Sequence, residues 1–223
     1  MNKRIVPALA FGYLLAFGFA YPSGNAETQQ NQTAPRLQSI YQAAHRGDAA
    51  TVKKWLDRGV DVDVTFMDNE TLLMRAAVDG RLDIINLLLR RGAQVNRWDT
   101  AGFTATGLAI LNQHKAVLLA LLAHGASVNP VIHNAGAPPL TMAAQTGNIE
   151  IIKMLLKAQA HIDAQDHRGE TALITAVRRN HIEAAALLLS SDANRRLRNR
   201  DGETALSVAR ESRNKQMIML LEK

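Results

Sequence analysis

The chain has no cysteine among its 223 residues. Disulfides, thiol nucleophiles and thiolate metal sites are therefore excluded, and stability has to come from packing. Aromatic residues are scarce, at 4%, so a core must be built from Leu, Ala, Ile and Val. No glycine-rich phosphate loop occurs, and no two histidines lie four apart around a glutamate, the strong metalloprotease pattern. His161 and His167 flank Asp163 and Asp166, but this reads as a solvated hairpin rather than a ligand set. Ser, His and Asp are present without a strand–turn–helix nucleophile elbow. The sequence thus predicts no catalytic residue, no metal site and no cofactor.

Charge of one sign is also limited. Twenty-six basic residues face twenty acidic ones, a net charge of +6. Without Lys3 and Arg4 the excess is about +4, too mild for a dedicated nucleic-acid binder. Lys3-Arg4 opens an uncharged run from Ile5 to Ala20, the pattern of an export signal. Small residues in Gly24-Asn25-Ala26 place cleavage after Ala26, with Ala20 as the second choice. A retained anchor is the third, because the run is nearly long enough to span a bilayer. Residues 1–26 are accordingly expected to be a signal peptide, and the protein periplasmic. Residues 27–36 are polar and are expected to be a flexible linker.

What the chain does have is a repeated pattern. Ala43, Ala76, Ala109, Ala143, Ala176 and Ala209 lie 33, 33, 34, 33 and 33 residues apart. Thr71, Thr104, Thr171 and Thr204 keep the same frame, with Pro138 in the remaining slot. In the stretch Glu70–Asn96, Thr71 is positioned to cap a helix. Leu73, Ala76 and Ala77 follow at helical spacing, and Gly80 permits a turn. Ile84, Ile85, Leu88 and Leu89 give a second apolar stripe, and Gly92 suits the left-handed position after a helix end. Trp55 falls in the slot of Leu88 and is expected in the core. Each helix is too short to stand alone in water, so each unit must lean on a copy of itself.

A period near 33 with this helix–turn–helix–extended unit is the ankyrin signature, and the chain resembles the ankyrin-repeat family from about Leu37 to Lys223. The resemblance implies an all-α repeat solenoid: about six helix–turn–helix units with β-hairpin fingers between them. The units run at about 37–67, 68–100, 101–134, 135–167, 168–200 and 201–223. Three departures stand out. The family's Thr-Pro-Leu-His is nowhere intact, its His slot holding Met74, Gly107, Thr141, Ile174 and Ser207. Gly107 lies inside a helix, where close packing against the next unit would explain it. Gln159 and Asp192 stand where Gly59, Gly92 and Gly125 follow the second helix elsewhere, and a non-glycine is strained there.

The resemblance also implies function: a non-catalytic protein-binding module recognising its partner through finger tips and a concave groove. Carried over by frame, the finger tips are Thr65, Trp98, Val131, Gln165 and Arg198. Phe66, Phe103, Ile132, His133, His167, Arg168 and Glu170 lie close by. The first-helix ends include Val78-Asp79 and Arg178-Arg179. Trp98 is the leading anchor, since Trp and Arg are enriched at interface hot spots, and Phe66 and Phe103 are expected to share its apolar patch. The chain further resembles small exported bacterial ankyrin proteins. That resemblance implies support of a periplasmic stress-defence enzyme or neutralisation of a toxin, by a monomer with a protein partner and no nucleic acid. The alternative is an envelope-surface or polyanion binder using Arg195-Arg196-Leu197-Arg198-Asn199-Arg200 with Arg178-Arg179; a membrane surface is the less favoured partner. A purely structural spacer is the third reading. Strain at Gln159 and Asp192 predicts looser C-terminal units. Amide exchange should be faster in units four to six than in two and three, and the reverse order would contradict this.

Overall fold

The computed structural model describes residues 27–130 and 136–222. Residues 1–26 and the finger residues Val131, Ile132 and His133 lie outside them. The compact unit runs from Gln38 to Lys223. Residues 27–36, expected as a flexible linker, instead lie in the first helix, α1 (Glu27–Arg46). The segment is polar but contains no glycine, and polarity alone does not oppose a helix continuous with one that buries Ile40, Ala43 and Ala44.

Six helix pairs follow one another. α1 pairs with α2 (Ala49–Asp57), α3 (Leu72–Val78) with α4 (Leu82–Arg90), and α5 (Ala105–Leu111) with α6 (Lys115–Ala123). α7 (Pro139–Thr146) pairs with α8 (Ile149–Lys157), α9 (Ala172–Arg178) with α10 (Ile182–Ser190), and α11 (Ala205–Glu211) with α12 (Lys215–Glu222). First helices from α3 onward stack on first helices, and second helices on second helices except between α6 and α8. The stripes predicted from spacing are the core: Leu73, Ala76, Ala77, Ile84, Ile85, Leu88 and Leu89 are all buried. Trp55 is half-buried at the edge of that core, with Arg58 over its ring at 5.2 Å.

The predicted caps form. Thr71, Thr104, Thr171 and Thr204 each accept a hydrogen bond from the backbone N–H three residues on, at 3.2 Å. Pro138 has no hydroxyl and makes no such bond, and Pro139 occupies the first helical turn. Gln159 (φ 65°) and Asp192 (φ 67°) adopt the left-handed conformation expected of them. A Cβ on Gly107 would meet the Met142 sulfur at 2.9 Å, which is why glycine sits inside α5. The core divides at this level. One cluster spans Ile40 to Leu121 and the other Ile110 to Leu221. α6 packs mainly on α4 and α5, and the 34-residue step falls just after it.

Two ladders of hydrogen bonds join successive units. At the base of the fingers, Asp63, Asn96, Asn129 and Asp163 accept from the backbone N–H of Gln94, Ser127, His161 and Asn194 in the next unit, at 2.7–2.9 Å. At the opposite end, the residue opening each second helix reaches back to the previous unit. Arg81 donates to the carbonyl of His45, and the His114 and His181 rings bond the carbonyls of Val78 and Gln145. Asn148 and Asn214 meet the side chains of Gln113 and Asn180.

The size of this latch dictates the turn beneath it. Under Arg81, His114 and His181 lie Gly47, Gly80 and Gly147, whose added Cβ would come within 3.2, 2.7 and 2.6 Å of the side chain above. Under the smaller Asn148 and Asn214 lie Gln113 and Asn180, both with φ 61°. The glycines are thus required by a neighbour as well as by φ. Gly92, with φ 84° and nothing near its missing Cβ, isolates the backbone effect. Gly80→Ala should destabilise the protein in urea unfolding by about 1–3 kcal/mol more than Gly92→Ala, the scale of overpacking. Pairing Gly80→Asn with His114→Asn should remove most of that excess. Equal costs for the two alanine variants would refute the latch.

Candidate protein-binding surface

Each described finger is closed by a single backbone pair rather than by the paired strands of a β-hairpin. Phe66, Asp99, Asp166 and Asn199 donate their N–H to the carbonyls of Glu70, Phe103, Glu170 and Glu203, at 2.8–3.1 Å. Isolated antiparallel bridges join Thr65 to Thr71 and Trp98 to Thr104. The span is too short for a ladder, so in three of the four described fingers a side chain fixes the turn. Asp99 Oδ1 accepts from Ala101 and Phe103, Asp166 Oδ1 from Arg168 and Glu170, and Asn199 Oδ1 from Asp201 and Glu203. These are Asx turns, which Asp and Asn favour. Burial, opposed by those backbone bonds, pushes the Asp99 carboxyl above its ordinary value.

Neighbouring fingers are also tied together. Thr100 N–H donates to Asp68 O at 2.8 Å, and Asn69 Nδ2 to Trp98 O at 3.0 Å. Further along, Arg200 N–H donates to Arg168 O at 2.8 Å, and Gln165 Nε2 to Arg198 O at 2.9 Å. The tips are therefore held in register by bonds to main-chain carbonyls, and a surface built on them is pre-organised.

Trp98 is 46% exposed at such a tip. The aromatic patch expected around it does not form. Phe66 is half-buried and packs on Tyr41, with ring centroids 4.7 Å apart. Phe103 is half-buried against the other core cluster. Both rings find their apolar neighbours in the stack, Phe66 on Tyr41 and the N-terminal core cluster and Phe103 on the C-terminal one. The apolar companion at the adjacent tip is Met67, 64% exposed. Sequence reasoning missed it, although an apolar residue between polar finger positions was the available signal.

The basic candidates separate in a similar way. His167, Arg168, Arg179 and Arg198 are exposed. Arg178 is not a free cation: its guanidinium pairs with Glu170 at 2.7 Å and Glu203 at 2.6 Å. The patch expected from Arg178-Arg179 and the arginine run is weakened accordingly, because two glutamates one unit apart share that charge. Tyr41, Glu70, Arg75 and Asp79 make a similar network near the other end of the groove. Tyr41 Oη donates to Glu70 at 2.7 Å, Arg75 pairs with Glu70 at 2.8 Å and lies 3.8 Å from Asp79. Burial and then the bond to Glu70 raise the Tyr41 phenol above its ordinary value.

Stacked helix pairs, Asx-closed fingers and a groove floored by first helices define a helical-repeat binding scaffold. The family model described as ankyrin repeats (3 copies) matches residues 40–132 and 140–223. The protein belongs to the ankyrin-repeat family. An ankyrin repeat protein of Fowlpox virus is 35% identical over 60% of this chain and 40% of its own. One from Treponema pallidum is 27% identical over 62% and 46%. The chain thus spans less than half the length of these curated relatives. The human ASB11 ankyrin repeat domain superposes with a TM-score of 0.74 at 26% identity, covering 82% of this chain and 81% of that one. A chain of the Bdellovibrio bacteriovorus predatory endopeptidase Bd0816 in complex with immunity protein Bd3460 also gives 0.74, at 30% identity, covering 82% and 96%.

The Arg178 bridge makes a measurable demand. Hydrogen bonds from Arg178 and then Asn199 hold the Glu203 carboxyl below its ordinary value. A depressed pKa means the pairing stabilises the fold above the ordinary glutamate value and fades as pH falls through the lowered one. Arg178→Gln should move the Glu203 titration, followed by carbon NMR, up toward the ordinary value. An unchanged titration would leave Asn199 as the sole cause.

Proposed function

We propose that this protein is an exported, non-catalytic binding module of the periplasm that recognises a partner protein through its finger tips and groove. The observation that carries the reading is the exposure of Trp98 and Met67 on adjacent fingers tied by Thr100–Asp68 and Asn69–Trp98. A rigid tip bearing a half-exposed indole suits a hot-spot contact, because little entropy is lost when it is buried. The basic, then apolar, then small-residue pattern of residues 1–26 supports export. Likeness to a chain from an endopeptidase–immunity protein complex favours a partner of the enzyme or toxin kind, bound to be neutralised or supported. Arg178, on which the polyanion alternative leans, is paired with two glutamates.

Trp98→Ala should weaken partner capture from an envelope extract by at least about thirtyfold, the scale of a 2 kcal/mol hot spot, with helix content by circular dichroism unchanged. Binding through this anchor should fade little with added salt. Loss of fold would instead assign Trp98 to packing, and unaltered capture would sink the reading.

A further inference from the structure

The finger row changes character along the stack. At the first two tips the exposed side chains are Met67 and Trp98, with Asp68 and Asp99 beside them. At the last two they are His167, Arg168, Arg198 and Arg200, with Asp166 and Asp201 beside them. The backbone bond from Arg200 to Arg168, at 2.8 Å, sets those two arginines on touching strips of adjacent fingers. Arg198 is steadied by its own bond to Gly202 O at 2.6 Å. Among the described residues the guanidinium groups of Arg168 and Arg200 have no ion pair. The glutamates that would oppose them, Glu170 and Glu203, are taken up by Arg178, and Asp166 is bound by backbone amides. Fingers four and five therefore bring Arg168, Arg198 and Arg200 into one exposed arginine cluster, with Asp201 beside it.

We infer that these fingers receive an acidic segment of the partner protein, a short run of Asp and Glu carboxylates, while the Met67–Trp98 end receives an apolar one. The row thereby fixes which way the partner lies. This rests on the protein-binding reading above and specifies its partner. Guanidinium groups recognise carboxylates bidentately. A polyphosphate fits less well: duplex DNA carries a charge about every 1.7 Å and would have to pass Asp68, Asp99, Asp166 and Asp201 along the same row. A short acidic segment can end at the arginines and need not reach Asp68 and Asp99.

The test is a titration of the full protein with hexaglutamate at low salt, followed by backbone amide NMR. Shifts should concentrate at residues 165–170 and 196–202. Arg168→Glu with Arg200→Glu should weaken binding about tenfold, the scale of two exposed charge contacts. The matched pair Lys153→Glu with Lys157→Glu, on the outer face of α8, should leave it unchanged. Equal weakening by both pairs, shifts spread over the whole surface, or no binding would overturn the inference. So would tighter engagement of the same arginines by a DNA duplex or a phosphatidylglycerol vesicle. Capture through Trp98 is read separately, so loss of the acidic contact alone would leave the protein-binding reading standing.

Discussion

Among the described residues no helix after the first exceeds nine residues, and an isolated helix of that length is marginal in water. Everything else follows from this. Each pair must bury its apolar faces against a neighbour, and the neighbour must be placed accurately enough for polar groups to meet as well. The repeat supplies both. Alanine recurs as a buried residue of the first helices, and Leu and Ile recur as buried residues of the second. The hydrogen-bond ladders run along opposite edges of that contact, so a unit displaced from its neighbour loses both at once. A stack of this kind is stabilised by nearest-neighbour terms, and the split of the core near unit three shows where one such term is built differently.

The same frame positions the binding surface. A slot that pairs charges in one unit is free to carry something else in the next. Glu70, Phe103, Glu170 and Glu203 share a slot. Three of them enter ion-pair networks and the other turns into the core. Trp98, Gln165 and Arg198 share another, where one side chain stands half-exposed, one clamps two fingers and one adds charge. Function in such a protein is a pattern of departures laid over a constant scaffold. The Asx turns keep those departures at fixed positions because they hold the finger backbone without needing the tip side chains.

Much of this was legible in the residues. The period, the threonine caps, the left-handed positions and the buried stripes all depend on neighbours close in sequence, and the structure has each of them. Gly107 was readable as a packing glycine for the same reason. That residues 27–36 lie in α1 was not legible, because composition reports solubility rather than helix continuity. The shared aromatic patch failed because Phe66 and Phe103 had a choice of surfaces. Tyr41, 25 residues away in sequence, decides the first, and the C-terminal core cluster decides the second. Arg178 looked free because its two partners lie 8 and 25 residues off. The latch over Gly80 went unread because its cause, the His114 ring, comes from the following unit.

The sequence by itself determined that this protein is a row of ankyrin units without cysteine chemistry, since periodicity and capping are local properties that a linear text contains. Only the tertiary structure decided which side chains stay exposed and which charges are paired. Trp98 and Met67 stay at the surface, Arg178 is neutralised, and Arg168 is brought beside Arg200. Those outcomes turn mostly on contacts between residues 25 or more apart, where distance in space is set by stacking and not by the order of the chain.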